Sequence, residues 1–293
     1  MKKFLFWFLA FLITITAAIY QRATGPTYPK KLQVSVNHVD YKLKLVRSLG
    51  LDEDPLVKLN VNDPTISAKI YFRRYLSKDE FQSADFKFRS KPIDSFVMNK
   101  FFGMTKDEGF YAAVPQQPAA GKIEYYFEIT DQAETKTYLK ETPVVIRFKG
   151  GVPAYILLPH ILFMFVAMLF SNLSGILAAF KVPAFRKYSM WTFVCLTIGG
   201  MFLGPLVQLH AFGELWTGIP FGWDLTDNKT LIAFVFWVLA VVMNRKKERP
   251  FYTILAAVVL LLIYSIPHSM FGSTLDYNTG TVTQGMIMNL FVF

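Results

Sequence analysis

The chain has 293 residues, 53% of them hydrophobic and 16% aromatic, and its mean hydropathy is +0.33. That composition excludes an ordinary soluble domain and makes lipid part of the solvent. The formal charge of +10 would suit a nucleic-acid binder, but the basic residues alternate with acids in one polar segment and otherwise cluster at the ends of apolar runs, which argues against that class.

Lys2 and Lys3 precede an apolar run over 4–20, so residues 1–22 read as either a signal peptide or an uncleaved transmembrane anchor. Ala17 and Ala18 would suit cleavage, whereas the aromatic run of Phe4, Phe6, Trp7, Phe8 and Phe11 and the exit at Tyr20, Gln21 and Arg22 favour retention. Either way the following segment is delivered across the membrane.

From about residue 30 to 150 the hydrophobic period switches to two, as in AKIYFRRY at 68–75 and KIEYYFEI at 122–129, which predicts strands. Turn signals recur at 62–64, 116–121 and 130–132, spaced for a small antiparallel sandwich. The one cysteine, Cys195, lies in an apolar run, so this domain is expected to hold together without an intramolecular disulfide. The stretches GFYAAVPQQP at 109–118 and GKIEYYFEITD at 121–131 resemble the closing strands of bacterial immunoglobulin-like or fibronectin type III-like domains. That resemblance covers some 25 residues and lacks the paired cysteines of antibody-type domains. It implies a β-sandwich over about 33–149, of a family whose members bind partners or act as spacers, and it implies no ligand. The junction 147–153 passes from the last strand into the next apolar run almost without a linker, which predicts a sandwich close to the membrane surface.

Four further apolar runs follow, at 152–180, 190–212, 231–243 with its flanks, and 251–267. A crossing needs about 20 residues, so the last two are short but usable. Lys181, Arg186 and Lys187 share one connecting loop, and Arg245, Lys246, Lys247 and Arg249 share another; the positive-inside rule makes both cytoplasmic. The loop between, 213–230, carries Glu214, Asp224 and Asp227 against Lys229 alone and belongs outside. The predicted architecture is a multi-pass membrane protein with one N-terminal span and a four-helix bundle over 151–272. Its β-sandwich at 30–150 and its tail at 273–293 are extracytoplasmic. The predicted location is the bacterial cytoplasmic (inner) membrane, N-terminus in and C-terminus out.

Polar groups inside the spans stand out because hydrocarbon penalises them unless paired. His160 lies about 10 Å inside the second span by helical rise, next to Pro159, while His210, two residues after Gln208, and His268 end the third and fifth. With Asp224 and Asp227, these histidines could ligate a transition metal. Two of them on different helices could be axial ligands of a b-type haem. They could equally be interfacial rings bonded to a neighbouring helix or a headgroup. The chain carries no HExxH, CxxCH, GxSxG or phosphate-loop motif, so no cofactor and no catalysis has a motif of its own. In the outer loop, Trp216, Phe221 and Trp223 fit an interfacial aromatic belt or a lid over the histidines, with Thr226 or Asp227 capping the next helix.

The small-residue spacings at 171–175 and 200–204 predict close helix approaches. The basic run 245–249 is accounted for by topology, with acidic lipid as its alternative ligand. Residues 278–280 predict a turn, and the apolar end 286–293 must dock on the bundle or on a partner. Three readings of function follow. The first is a membrane-anchored binding or assembly component whose sandwich contacts a protein partner outside. The second is a redox or metal-binding subunit using His160, His210 and His268. The third is a metal-dependent enzyme that also needs Asp224, Asp227 or Glu214 beside the metal.

Overall fold

The computed structural model describes residues 2–93, 100, 106–132, 134–267, 270 and 272–283. They form two compact units. One gathers the described residues of Met1–Pro26, Gly151–Thr274 and Val282–Phe293, the other those of Thr27–Gly150 and Leu275–Thr281.

The first unit is helical. Helices α1 (Lys2–Thr24), α2 (Ala154–Ala179), α3 (Phe185–Phe212) and α4 (Leu225–Met243) are long and apolar enough to cross a membrane, and α5 (Pro250–Ser265) is a shorter apolar helix of 16 residues. At 1.5 Å per residue α5 measures about 24 Å, against about 30 Å of hydrocarbon. Of the five expected spans, four therefore have full length. Helix α4 starts six residues before its apolar run, and its cap is neither Thr226 nor Asp227 as expected. Asp224 caps it, accepting from Thr226 N at 2.7 Å and Asp227 N at 3.2 Å. The geometry favours Asp224 because a capping carboxylate must precede the free amides it satisfies.

Small and polar side chains set the helix contacts. Phe6, Ala10 and Thr14 are the buried residues of α1, and Asn172 Nδ2 of α2 donates to Thr14 Oγ1 at 3.0 Å. The hydroxyls of Ser174 and Ser189 bond each other at 2.8 Å, and both reach Phe185 O at 2.9 Å, so α2 and α3 are joined by satisfied polar groups. A methyl at Gly175 would lie 2.7 Å from Ala257 Cβ. Glycine is what lets α2 and α5 approach so closely. Trp237 is fully buried in the apolar centre with Ala167, Met168, Cys195 and Leu260.

The middle of α3, Thr197–Leu203, is a π-helix. Pro205 explains it: the residue has no N–H for the i→i−4 ladder and its ring crowds the carbonyl four residues back. The turn widens, and Gly204 N–H bonds Gly199 O, five residues back.

The second unit is built of β-strands. Strands β1 (Lys30–Val36) and β2 (Val39–Leu45) form a hairpin. Its turn residues Asn37 and His38 both have positive φ, 47° and 63°, as a two-residue type I′ turn requires. The larger sheet runs β3 (Ser48–Gly50), β11 (Val144–Lys149), β9 (Lys122–Asp131), β5 (Ser67–Arg74) and β6 (Gln82–Asp85), with β10 (Glu134–Tyr138) also paired to β9. Strand β11 is antiparallel to β9 and parallel to β3. The smaller sheet runs β4 (Leu56–Leu59), β8 (Lys106–Ala113) and β7 (Lys87–Pro92). Alternate residues of the hairpin and of both sheets meet in one core that includes Val34, Leu43, Leu59, Ile70, Phe110, Phe127 and Ile146. Each fully buried large side chain contributes about 1.5–3 kcal/mol. This is the main source of stability in a unit where no cysteine is available for a disulfide.

Residues 275–281, expected in an extracytoplasmic tail at 273–293, belong to this unit. Leu275 N donates to Ala120 O at 3.0 Å. Tyr277 Oη accepts from Lys122 N and donates to Lys122 O, both at 2.9 Å, while Arg74 lies 5.0 Å from the centre of its ring. The expected turn is present: Gly280 N bonds Asp276 O at 2.8 Å, and Gly280 has φ +72°. Short strands β12 (Thr274–Leu275) and β13 (Val282–Thr283) flank it. The apolar end 286–293 lies outside the described residues.

Candidate functional site

The start of α2, the end of α3, the start of α4 and the end of α5 lie at one end of the helical unit, and the sequence-predicted residues fall there. His160 Nδ1 lies 2.9 Å from Gly199 O. A carbonyl only accepts, so Nδ1 carries a proton, and in the neutral ring Nε2 then keeps its lone pair. Gly199 serves both sides of this bond. Gly199 gives the ring side of α2 room, since a methyl there would lie 2.8 Å from Phe163 Cβ, and the π segment turns its carbonyl toward α2.

His210 is exposed. It lies six residues beyond Gly204, so it is about 9 Å further along α3 and about 120° round its axis, whereas a methyl at Gly204 would be 3.9 Å from His160 Cε1. The two histidines thus leave α3 and α2 on different faces. His268 lies outside the described residues. Among the described residues no group of three His, Cys, Asp or Glu is placed to hold a metal ion.

The two aspartates do structural work. Asp224, 4% exposed, caps α4, and Ser273 Oγ reaches its second oxygen at 3.5 Å. Asp227, 6% exposed, accepts from Thr217 N at 2.6 Å and Thr217 Oγ1 at 3.2 Å, and Gln208 Nε2 donates to the same hydroxyl at 2.7 Å. Asn228 Oδ1 accepts from Ile219 N at 2.7 Å, and Asp224 N donates to Thr217 O at 3.0 Å. The loop 213–224 is therefore held down by the first turn of α4. Gly218 is the point of closest approach, because a methyl there would fall 2.7 Å from Asp227 Cβ. The expected role of Asp224 and Asp227 as ligands or proton acceptors competes with these bonds. Glu214 is exposed.

Held this way, the loop turns its aromatic residues outward. Phe221 is 80% exposed and Trp223 60% exposed, while Trp216 is half-buried and donates from Nε1 to Ile219 O at 3.1 Å. Phe221 and Trp223 thus face away from the rest of the protein, in positions open to an interface.

Lys229, expected only as the single base of the loop 213–230, is buried at the start of α4. It is 6% exposed, and its ammonium donates to Ile266 O at 3.2 Å and Pro267 O at 3.4 Å. A cation there closes the carbonyl end of α5, where the helix dipole is negative. Its signal in the sequence was a lysine inside the first turns of a span, a position where a charge needs a dedicated partner.

No protein-family model matches the chain, and no curated protein is recognisably similar to it in sequence.

Proposed function

We propose that the chain is a membrane-anchored binding or assembly component that presents an immunoglobulin-like β unit on the extracytoplasmic face of a bacterial cytoplasmic membrane. The observation that carries this reading is how the β unit is inserted in the chain. It lies between α1 and α2, and residues 275–281, after α5, return to it, so the connections at Thr27, Gly150 and Leu275 lead to the apolar helices α1, α2 and α5. Two sheets and a hairpin around one core, with the last strand parallel to β3, support the immunoglobulin-like comparison. The packing of Phe6, Ala10 and Thr14 supports retention of α1 as an uncleaved anchor. The basic loops at 181–187 and 245–249 support a cytoplasmic N-terminus.

The test is photocrosslinking in intact cells from positions such as Ser83 and Lys87 on the β unit, with Val258 in α5 as the control. A discrete protein adduct from the β unit and none from Val258 is the expected result. No adduct from any β-unit position would refute a binding role.

A second reading, a redox, metal or haem-binding membrane subunit, is favoured by one observation. A histidine whose Nδ1–H is held by a carbonyl has the orientation common to metal-ligating imidazoles, with Nε2 free to bind. His160 has it, and His210 or His268 would have to supply a second ligand. An optical spectrum and elemental analysis of purified protein, beside His160→Ala, decide it: a haem band or bound metal lost in the variant supports the reading, and colourless, metal-free protein refutes it.

A further inference from the structure

The β1–β2 hairpin concentrates positive charge where strand chemistry disfavours it. Between residues 30 and 47 stand Lys30, Lys31, Lys42, Lys44 and Arg47, with Asp40 the one acid. The register places Lys31 directly opposite Lys44 and Gln33 opposite Lys42, so three ammonium groups share the outer face while Val34, Val36, Leu43 and Leu45 fill the core side. Lys31, Lys42 and Lys44 are all exposed. Like charges directly opposite on an antiparallel pair destabilise it, with Cβ atoms about 4.5–5.5 Å apart. Asp40 is engaged by Gln33 Nε2 at 3.1 Å. At the foot of the hairpin, burial and then the neighbouring Arg47 hold the Lys30 ammonium below its usual pKa. Lys31 lies 5.8 Å from the centre of the Tyr28 ring, but the one acid within the hairpin is Asp40; a polyanion outside it would offset the repulsion.

The chain limits which polyanion is nearest. Helix α1 ends at Thr24, and Lys31 follows it by seven residue steps. Even fully extended they reach only about 25 Å, so Lys31 is held within that distance of the end of a span. A headgroup layer lies within the same reach, at a high effective concentration, and an anionic lipid surface attracts each Lys or Arg held near it.

We propose that the outer face of the β1–β2 hairpin, through Lys31, Lys42 and Lys44, is a docking surface for the anionic phospholipid headgroups of the membrane in which the chain is anchored. This rests on the membrane-spanning reading of α1. Docking would fix how the β unit is presented and make it respond to the anionic lipid content of its leaflet.

The test is amine footprinting of the full chain in nanodiscs of phosphatidylglycerol and phosphatidylcholine in equal parts, against discs of phosphatidylcholine alone. Initial acylation rates are read by mass spectrometry for Lys31, Lys42 and Lys44, with Lys69 and Lys87 as internal standards. The expected result is a rate at least threefold slower at the three hairpin lysines in the anionic discs, unchanged at the standards and restored by 1 M salt. Equal rates in both discs, or slowing spread evenly over all five lysines, would overturn the proposal. A chain that does not enter discs, seen by flotation, would overturn the membrane-spanning reading and this proposal with it.

Discussion

Tyr277 makes both of its hydroxyl bonds to one residue, Lys122, completing the backbone pairing at the first residue of β9. Tyr277→Phe keeps the ring over Arg74 and removes both bonds. The expected cost is about 1–2 kcal/mol, read as a lower urea midpoint for the β unit by limited proteolysis. A second residue-level expectation concerns acid. Arg74 holds Asp79 through two bonds of 2.5 and 2.9 Å and keeps its carboxyl down at about 2. A carboxyl depressed below its unfolded value near 3.9 contributes stability that is present above that value and lost as pH falls toward 2. The melting-temperature difference between wild type and Asp79→Asn should thus be flat from pH 7 to about 5 and shrink steadily below 4. A difference that persists unchanged at pH 2 would assign it to some other cause. At this scale the sequence was only partly readable. It marked Asp224, Asp227 and His160 as unusual, but whether a carboxylate caps a helix, staples a loop or holds a metal depends on amides that chain folding brings to it.

Among the elements, the spans were legible because an apolar run of about 20 residues has few other uses, and strands β5 and β9 were legible from their alternation. The π segment of α3 was not. A Gly-Pro pair inside a helix signals a disturbance, yet a kink and a widened turn are both open to it; the neighbour that accepts the freed geometry, here α2 with His160, decides between them. Two expectations belong to this level. Gly175→Leu has no room against Ala257 and should separate α2 from α5 at a cost of about 1–3 kcal/mol, measured as a lower melting temperature in detergent. Asp227→Ala leaves Thr217 N without its 2.6 Å acceptor and should free the loop 213–224, seen as faster amide exchange at residues 216–219 while the rest of α4 keeps its protection. Uniform loss of protection along α4 would mean that the aspartate supports the helix more than the loop.

At the level of the molecule, composition divides the chain into a polar segment and apolar runs, and the described residues form two compact units. What composition missed is residues 275–281, seven residues too short and too polar to announce a partner, whose attachment depends on the backbone at 120–122. Orientation can be tested directly, because Cys195 is the only native cysteine and is buried. Single cysteines at Ser83 and at Lys246 should react oppositely with an impermeant maleimide on intact spheroplasts, the first labelled and the second protected. Labelling at Lys246 would reverse the proposed topology.

The return of residues 275–281 also carries a consequence in time. A ribosome adds about 5–20 residues per second, and 131 residues separate Gly150 from Thr281. For about 7–26 s after its last long strand has been made, the β unit is without Tyr277 and the backbone at the start of β9 is without its closing partner. Completion of the β unit is thereby coupled to synthesis of α5. A nascent chain that stalls before α5 leaves an unsealed strand start, a mark by which a protease could tell unfinished molecules from finished ones.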